Sequence, residues 1–165
     1  MALDRSVIGT STGKSRIVVE RGPVAMFATA VKDDNPVYKS PEAARDAGFE
    51  SIPAPPTFGF AMSYWGSFPE IQPADDPGKD RNIIMEIVAP LMQQGGVILH
   101  GEQTFTYHRP LLVGDVLVGE GKVVDLYERE SKGKVMTFFI TENVYTSERS
   151  GEPVLTTRMN LIHRR

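Results

Sequence analysis

Three stretches of the sequence bring chemically useful side chains close together. In Asp33-Asp34-Asn35-Pro36-Val37-Tyr38, carboxylates, a carboxamide and a phenol lie within one short segment. A carboxylate can accept a proton from an activated water. A phenol with a pKa of ~10 is a weak base near neutral pH, so Tyr38 suits orienting water or donating a hydrogen bond, not cycling protons as an imidazole does. Asp, Asn and Pro are also ordinary turn residues, and a tight turn closing a helix accounts for the same pattern without chemistry. The second stretch, Ile52-Pro53-Ala54-Pro55-Pro56-Thr57-Phe58, leads into an apolar helix. A helix N-terminus offers N–H groups and a positive dipole end to a developing anion. Pro55 and Pro56 have no N–H, which leaves the Thr57 and Phe58 amides as the candidate donors; two prolines that simply start a helix explain the segment equally well. The third contains His108-Arg109-Pro110-Leu111-Leu112-Val113-Gly114-Asp115. Arginine suits phosphate oxygens. The turn reading, Pro110 ending one strand and Gly114-Asp115 starting the next, accounts for most of this pattern. His100 and His163 read as ordinary strand residues.

These residues need a scaffold. A chain of 165 residues suits one domain, residues 1–165, with a core large enough to need no staples. Hydrophobic residues make up 41% and charged residues 24%, as in ordinary globular proteins. The formal net charge of -3 gives no basic surplus for a nucleic acid. With no cysteine, disulfides, thiolate metal sites and cysteine nucleophiles are excluded. The three histidines lack close metal-ligand spacing, so no metal is expected. No apolar run approaches the ~18 residues of a membrane span, and the N-terminus lacks a signal-peptide core, so a cytoplasmic protein is expected.

Val24 to Val31 reads as a short helix, with Pro23 in its first turn. Ser40 to Gly48 reads as a second, with Ser40 as N-cap, Pro41 as first residue and Gly48 as C-cap. Thr57 to Trp65 is apolar nearly all round and belongs in a core. Residues 69–80, rich in Pro, Asp and Gly, read as an exposed loop. From Ile98 the pattern changes to period two. Strands are expected from Ile98 to His108, from Val116 to Tyr127 with a bend at Gly119 and Gly121, from Val135 to Tyr145 and from Val154 to Ile162. Residues 128–134 and 147–152 read as hairpin turns, and Ile17 to Glu20 as a fifth strand. Helices first and long strands afterwards suggest α+β. The simplest packing wraps a curved antiparallel sheet around the one apolar helix, a hot-dog arrangement. An all-β barrel would leave that helix without a place.

The segment Phe27 to Tyr38 resembles the signature of the MaoC-like, R-specific enoyl-CoA hydratases, in which the pattern is Gly-Asp-x-Asn-Pro-x-His. Asp33, Asn35 and Pro36 match; Lys32 stands in place of the Gly and Tyr38 in place of the His. Ala54-Pro55-Pro56-Thr57-Phe58 corresponds to a place where catalytic members read Ala-His-Gly. Arg109-Pro110-Leu111 through Gly114-Asp115 and Leu117 is similar to a strand–turn–strand of the same superfamily. The likeness runs from about Met26 to His163 and is greatest to the N-terminal MaoC-like dehydratase branch, including the non-catalytic subunit of mycobacterial hydroxyacyl-thioester dehydratases.

The resemblance implies a hydratase/dehydratase acting on 2-enoyl or (R)-3-hydroxyacyl thioesters of CoA or acyl carrier protein, without cofactor. It implies Asp33, Asn35 and Tyr38 as the counterpart of the catalytic set, Thr57 and Phe58 at the thioester, and His108 and Arg109 near a CoA phosphate. Because a double hot dog needs two halves, a homodimer or a heterodimer with a second hot-dog subunit is expected. Tyr38 for His, and Pro55-Pro56 for His-Gly, favour an acyl-binding partner subunit. The alternatives are a self-sufficient homodimeric hydratase using Asp33, a hot-dog thioesterase, which usually wants a carboxylate that the helix Thr57–Trp65 lacks, and a purely structural domain.

Overall fold

The computed structural model describes residues 3–65 and 83–165. The expected loop at 69–80 lies outside them. Among the described residues, five strands form one antiparallel sheet: β1 (Ser11–Val18), β2 (Val97–Tyr107), β3 (Val116–Ser131), β4 (Lys134–Ser147) and β5 (Pro153–Arg164), in spatial order β1-β3-β4-β5-β2. Four α-helices accompany them among the described residues: α1 (Arg21–Ala30), α2 (Pro41–Asp46), α3 (Phe58–Trp65) and α4 (Ile83–Gln93).

The apolar helix takes the place its composition demands. Phe58 and Met62, one turn apart, are both buried, and they join Ile17, Leu117, Tyr145 and Leu155 from the sheet in the main core. Gly59 makes this approach possible: a Cβ there would lie 2.6 Å from Leu155 Cδ2. α1 turns Val24 and Ala28 inward, and its Phe27 meets the Phe58 ring edge-on at 5.5 Å. α2 begins as expected, with the Ser40 side chain accepting from the Ala43 amide and Pro41 at the first position. It ends on Gly48 in the left-handed region (φ 86°), where the Phe49 amide closes back on the Ala44 carbonyl. This is the hot-dog arrangement, a sheet wrapped around a central helix.

The elements differ from expectation in four places. The fifth strand, expected at Ile17 to Glu20, is β1 over Ser11–Val18, with Val19 and Glu20 already leading into α1. α4 is an addition. Ile84 and Ile87 pack on a second cluster, Val123, Leu126 and Phe139, and the Pro90 inside the helix masks its periodicity. The long hairpin turn expected at 128–134 shrinks to Lys132-Gly133, both left-handed (φ 53° and 70°), a pair that suits a tight two-residue turn; β3 and β4 stay paired up to Ser131 and Lys134. The irregularity in β3 falls between Val123 and Asp125, not at the glycines. Gly119 serves close approach instead: a Cβ there would lie 2.6 Å from Ser15 Oγ and 2.7 Å from the Tyr145 ring.

Candidate functional site

α1 ends where the Asp33 amide donates back to the Ala28 carbonyl (2.9 Å). Lys32, just before, is forced into the left-handed region at φ 59°, a conformation that suits glycine. The following side chains then build two turns in succession. Asp33 Oδ1 accepts from the Asn35 amide (3.1 Å), and Asn35 Oδ1 accepts from the Val37 amide (3.1 Å) and caps the 3-10 turn Pro36–Tyr38. The acid and the amide of the motif are therefore engaged in shaping the backbone. Their effect is to aim Tyr38 into an open groove of about 560 Å³ between this turn, α2 and the strand end at Tyr107 to Leu111.

The groove wall includes Asn35 and Tyr38 from the turn, Ala43 of α2 and Ala47 just after it, Pro53, Ala54 and Pro56 ahead of α3, and Tyr107, Arg109 and Leu111. Most of this surface is apolar, with a few polar groups converging on it, as ligand pockets generally are. The Tyr38 hydroxyl is held above its ordinary pKa, first by burial and then by the nearby Asp33 carboxylate. It is a neutral hydrogen-bond donor over the physiological range. Tyr107, on the same face of β2 as Phe105 (ring centroids 6.4 Å apart), donates its hydroxyl to the Pro56 carbonyl, and burial pushes its pKa up to about 12. This bond ties the wall of the groove to the start of α3.

The expected site residues separate. Asn35, Tyr38 and Arg109 share the groove wall. Asp33 does not line it; its carboxylate is turned to the Asn35 amide. The Arg109 guanidinium is held by the Asp115 carboxylate through two bonds, 2.8 and 2.7 Å, and also donates to the Pro110 carbonyl. Its terminal nitrogens thus fix the turn into β3. His108 points to the other face of the strand, where Nε2 lies 3.0 Å from Thr156 Oγ1. Thr57 is exposed at the start of α3, whereas Phe58 is a core side chain whose amide already donates to the Pro55 carbonyl (2.9 Å). Among the described residues, none of the groove wall comes from α3 itself. Tyr107 is the residue that sequence reasoning passed over. Its signal was present: it shares the buried face of β2 with Gln103 and Phe105, two positions before Arg109. Among the described residues, no cluster of three or more His, Asp or Glu side chains is placed to hold a metal ion, and no helix is long and apolar enough to cross a membrane.

The fold and the groove define a hot-dog domain of the MaoC-like dehydratase kind. The chain belongs to the family described as the FAS1-like dehydratase domain region, whose model matches residues 6–157. A UPF0336 protein of Saccharopolyspora erythraea is 32% identical over 165 residues, covering 99% of this chain and 93% of the relative. A UPF0336 protein of Mycobacterium leprae is 30% identical over 138 residues, 84% of this chain and 71% of the relative. Among solved structures, the fold is similar to the ChsH1-ChsH2 complex of Mycobacterium tuberculosis (TM-score 0.72, 21% identity, 93% of this chain and 84% of that one). It is also similar to the HadBC (3R)-hydroxyacyl-ACP dehydratase complex of the same organism (TM-score 0.67, 24% identity, 98% and 99%). An (R)-hydratase from A. caviae superposes with a TM-score of 0.58 at 18% identity, covering 98% of this chain and 97% of that one.

Proposed function

We propose that this chain is the acyl-thioester-binding, non-catalytic half of a two-subunit hot-dog hydratase/dehydratase. The observation that carries this reading is the state of the motif. A phenol faces the groove where catalytic members of the family carry an imidazole, and the Asp33 carboxylate does not line the groove, one of its oxygens accepting from the Asn35 amide. A neutral phenol cannot take a proton from water and return it near neutral pH. The start of α3 supports the same reading: Pro55 and Pro56 lack N–H groups, and the Phe58 amide is engaged. An apolar groove with Tyr38 as a donor suits holding an acyl chain and its thioester carbonyl while a second subunit supplies the acid and the imidazole.

The test is hydration of crotonyl-CoA and a longer enoyl-CoA by the pure chain, alone and after mixing with a hot-dog subunit bearing Asp-x-Asn-Pro-x-His. The expected result is no turnover alone, turnover in the mixture, and an unchanged rate when Asp33→Asn replaces the wild-type chain in it. Turnover by the chain alone that disappears in Asp33→Asn would establish the other reading, a self-sufficient hydratase using Asp33.

A further inference from the structure

The sheet has a second face, turned away from α3, and its residues are ordered in a way that the groove does not explain. Register across β3, β4, β5 and β2 aligns Tyr127, Phe138, Ile162 and Leu99 in one row on that face. Tyr127 and Phe138 stack at 4.8 Å, and Ile162 lies over Gly101, where a Cβ would meet its side chain at 2.5 Å. Leu99 is 40% exposed and Val97, next to it on the same strand face, 47%. The row on one side of this stripe is Arg129, Met136, Arg164 and Val97. The row on the other side is Asp125, Ile140, Asn160 and Glu102. An apolar stripe four strands wide thus has cations on one flank and carboxylates on the other.

We infer that this outer face packs against the same face of a second copy of the chain, the two related by a half-turn about the apolar stripe. The order of the rows selects this occupant. A half-turn about the stripe exchanges its flanks and keeps each strand opposite its own counterpart. Asp125 of one copy then meets Arg129 of the other on β3, and Ile140 meets Met136 on β4. Asn160 meets Arg164 on β5, while each stripe residue meets itself. On β2, Glu102 meets Val97; the charge match is carried by Asp125 and Arg129, and the two-fold symmetry forms that pair twice, as an isologous interface requires. Asp125 Oδ1 accepts from the Leu126 amide (2.8 Å) and also touches Arg5, but the Arg5 contact is long (3.4 Å) and the Arg5 side chain is 63% exposed, so that ion pair competes little. Arg129 lies over the Tyr127 and Phe138 rings (5.2 and 5.8 Å), which places its charge at the edge of the stripe. Strands ~4.8 Å apart and rows ~6.8 Å apart give a patch on the order of 400 Å² per copy. That is about half of a standard interface, the size of a weak, concentration-dependent association. The inference is independent of the proposed function, since none of these residues lines the groove.

The test is sedimentation of the full chain across a concentration series, with Arg129→Glu, Asp125→Arg and the double variant Asp125→Arg/Arg129→Glu, folding being checked by circular dichroism. Each single swap should weaken the association step about ten-fold or more, and the double swap should restore it to within about three-fold of wild type, because the half-turn again pairs opposite charges. As the sequence contains no cysteine, Ile162→Cys provides a unique label. A short bis-maleimide should join Ile162→Cys chains to one another and leave a Lys14→Cys control uncrosslinked. Absence of any concentration-dependent step, association unaffected by both single swaps, or a double variant weaker than either single would overturn the inference.

Discussion

Arg109 and Asp115 are joined by two parallel hydrogen bonds, 2.8 and 2.7 Å, across the turn between β2 and β3. Asp115 also accepts from the Leu112 amide at 2.9 Å, and its side chain is only 16% exposed. Three donors therefore converge on one carboxylate, and their geometry fixes one wall of the groove. Asp115→Ala strands a guanidinium and an amide together. We expect a loss of about 2–3 kcal/mol, and a melting temperature lower by roughly 5–10 °C. Asp115→Asn keeps an acceptor for Leu112 and should cost less. Calorimetry of the three proteins checks the order; equal stability for Asp115→Ala and wild type would remove the pair from the account of the turn.

This pair also shows where the sequence was legible and where it was not. Pro110 and Gly114-Asp115 announced a turn through local backbone preference, and the turn is there. Arginine's affinity for phosphate is equally real, but which anion it meets depends on what lies six residues on, and a carboxylate already fills its fork. The strands and α3 were legible because alternation and uniform apolarity are read residue by residue. α4 was not, because Pro90 interrupts its pattern and its apolar face is explained only by Val123, Leu126 and Phe139 far along the chain. The groove was half legible: Asn35 and Tyr38 belong to a recognisable motif, whereas Tyr107 joins them only through the packing of β2 beside Pro56.

Lys32 holds a conformation that favours glycine, at the position where the resembling hydratases carry one. A side chain in the left-handed region costs roughly 1–2 kcal/mol, and glycine recovers this less the ~0.4–1 kcal/mol it adds to the unfolded chain's entropy. Lys32→Gly should therefore be more stable than wild type by about 0.5–1 kcal/mol, read as a higher urea midpoint with an unchanged slope. A drop in the midpoint would mean that the Lys32 side chain makes a contribution beyond its backbone.

Asp33 and Tyr38 are coupled electrostatically although they are not hydrogen-bonded: the carboxylate adds to the burial that raises the phenol. Asp33→Asn keeps an oxygen to accept from the Asn35 amide, so its stability should stay within about 0.5 kcal/mol of wild type. Its Tyr38 should ionise at a lower pH than in wild type. Difference titration at the tyrosinate absorbance, with Tyr38→Phe to identify the signal, measures this. An unshifted Tyr38 would remove the Asp33 carboxylate from the electrostatics of the phenol.

Gly59 lets α3 lie against β5 and β2: a Cβ would meet Leu155 Cδ2 at 2.6 Å and the Tyr107 hydroxyl at 3.4 Å. Gly59→Ala gains helix propensity of about 1 kcal/mol but must push α3 away from fully buried Leu155, at a cost of about 1–3 kcal/mol. The expected net effect is destabilisation, with the Tyr107–Pro56 bond weakened. Gly59→Ala combined with Leu155→Val should recover part of the loss because the smaller side chain relieves the contact. Additive losses in the double variant would refute the steric account.

Alkaline pH should unfold the domain through two tyrosines. Burial pushes both Tyr107 and Tyr145 from 10.0 up to about 12. The folded state thus keeps protons that the unfolded chain has released. The stability these phenols contribute is complete below about pH 10, where both states are protonated, and falls as the pH rises from 10 towards 12, because the unfolded chain ionises first. Each fully buried tyrosine contributes a slope of up to about 1.4 kcal/mol per pH unit in that window, with Tyr107 giving less because it is partly open to solvent. Urea unfolding at pH 8, 10 and 11 should show little change over the first interval and a steep loss over the second. Tyr145→Phe should flatten that loss more than Tyr107→Phe does, since Tyr145 is the more deeply buried. If both variants kept the wild-type slope, the alkaline loss would have to come from groups other than these phenols.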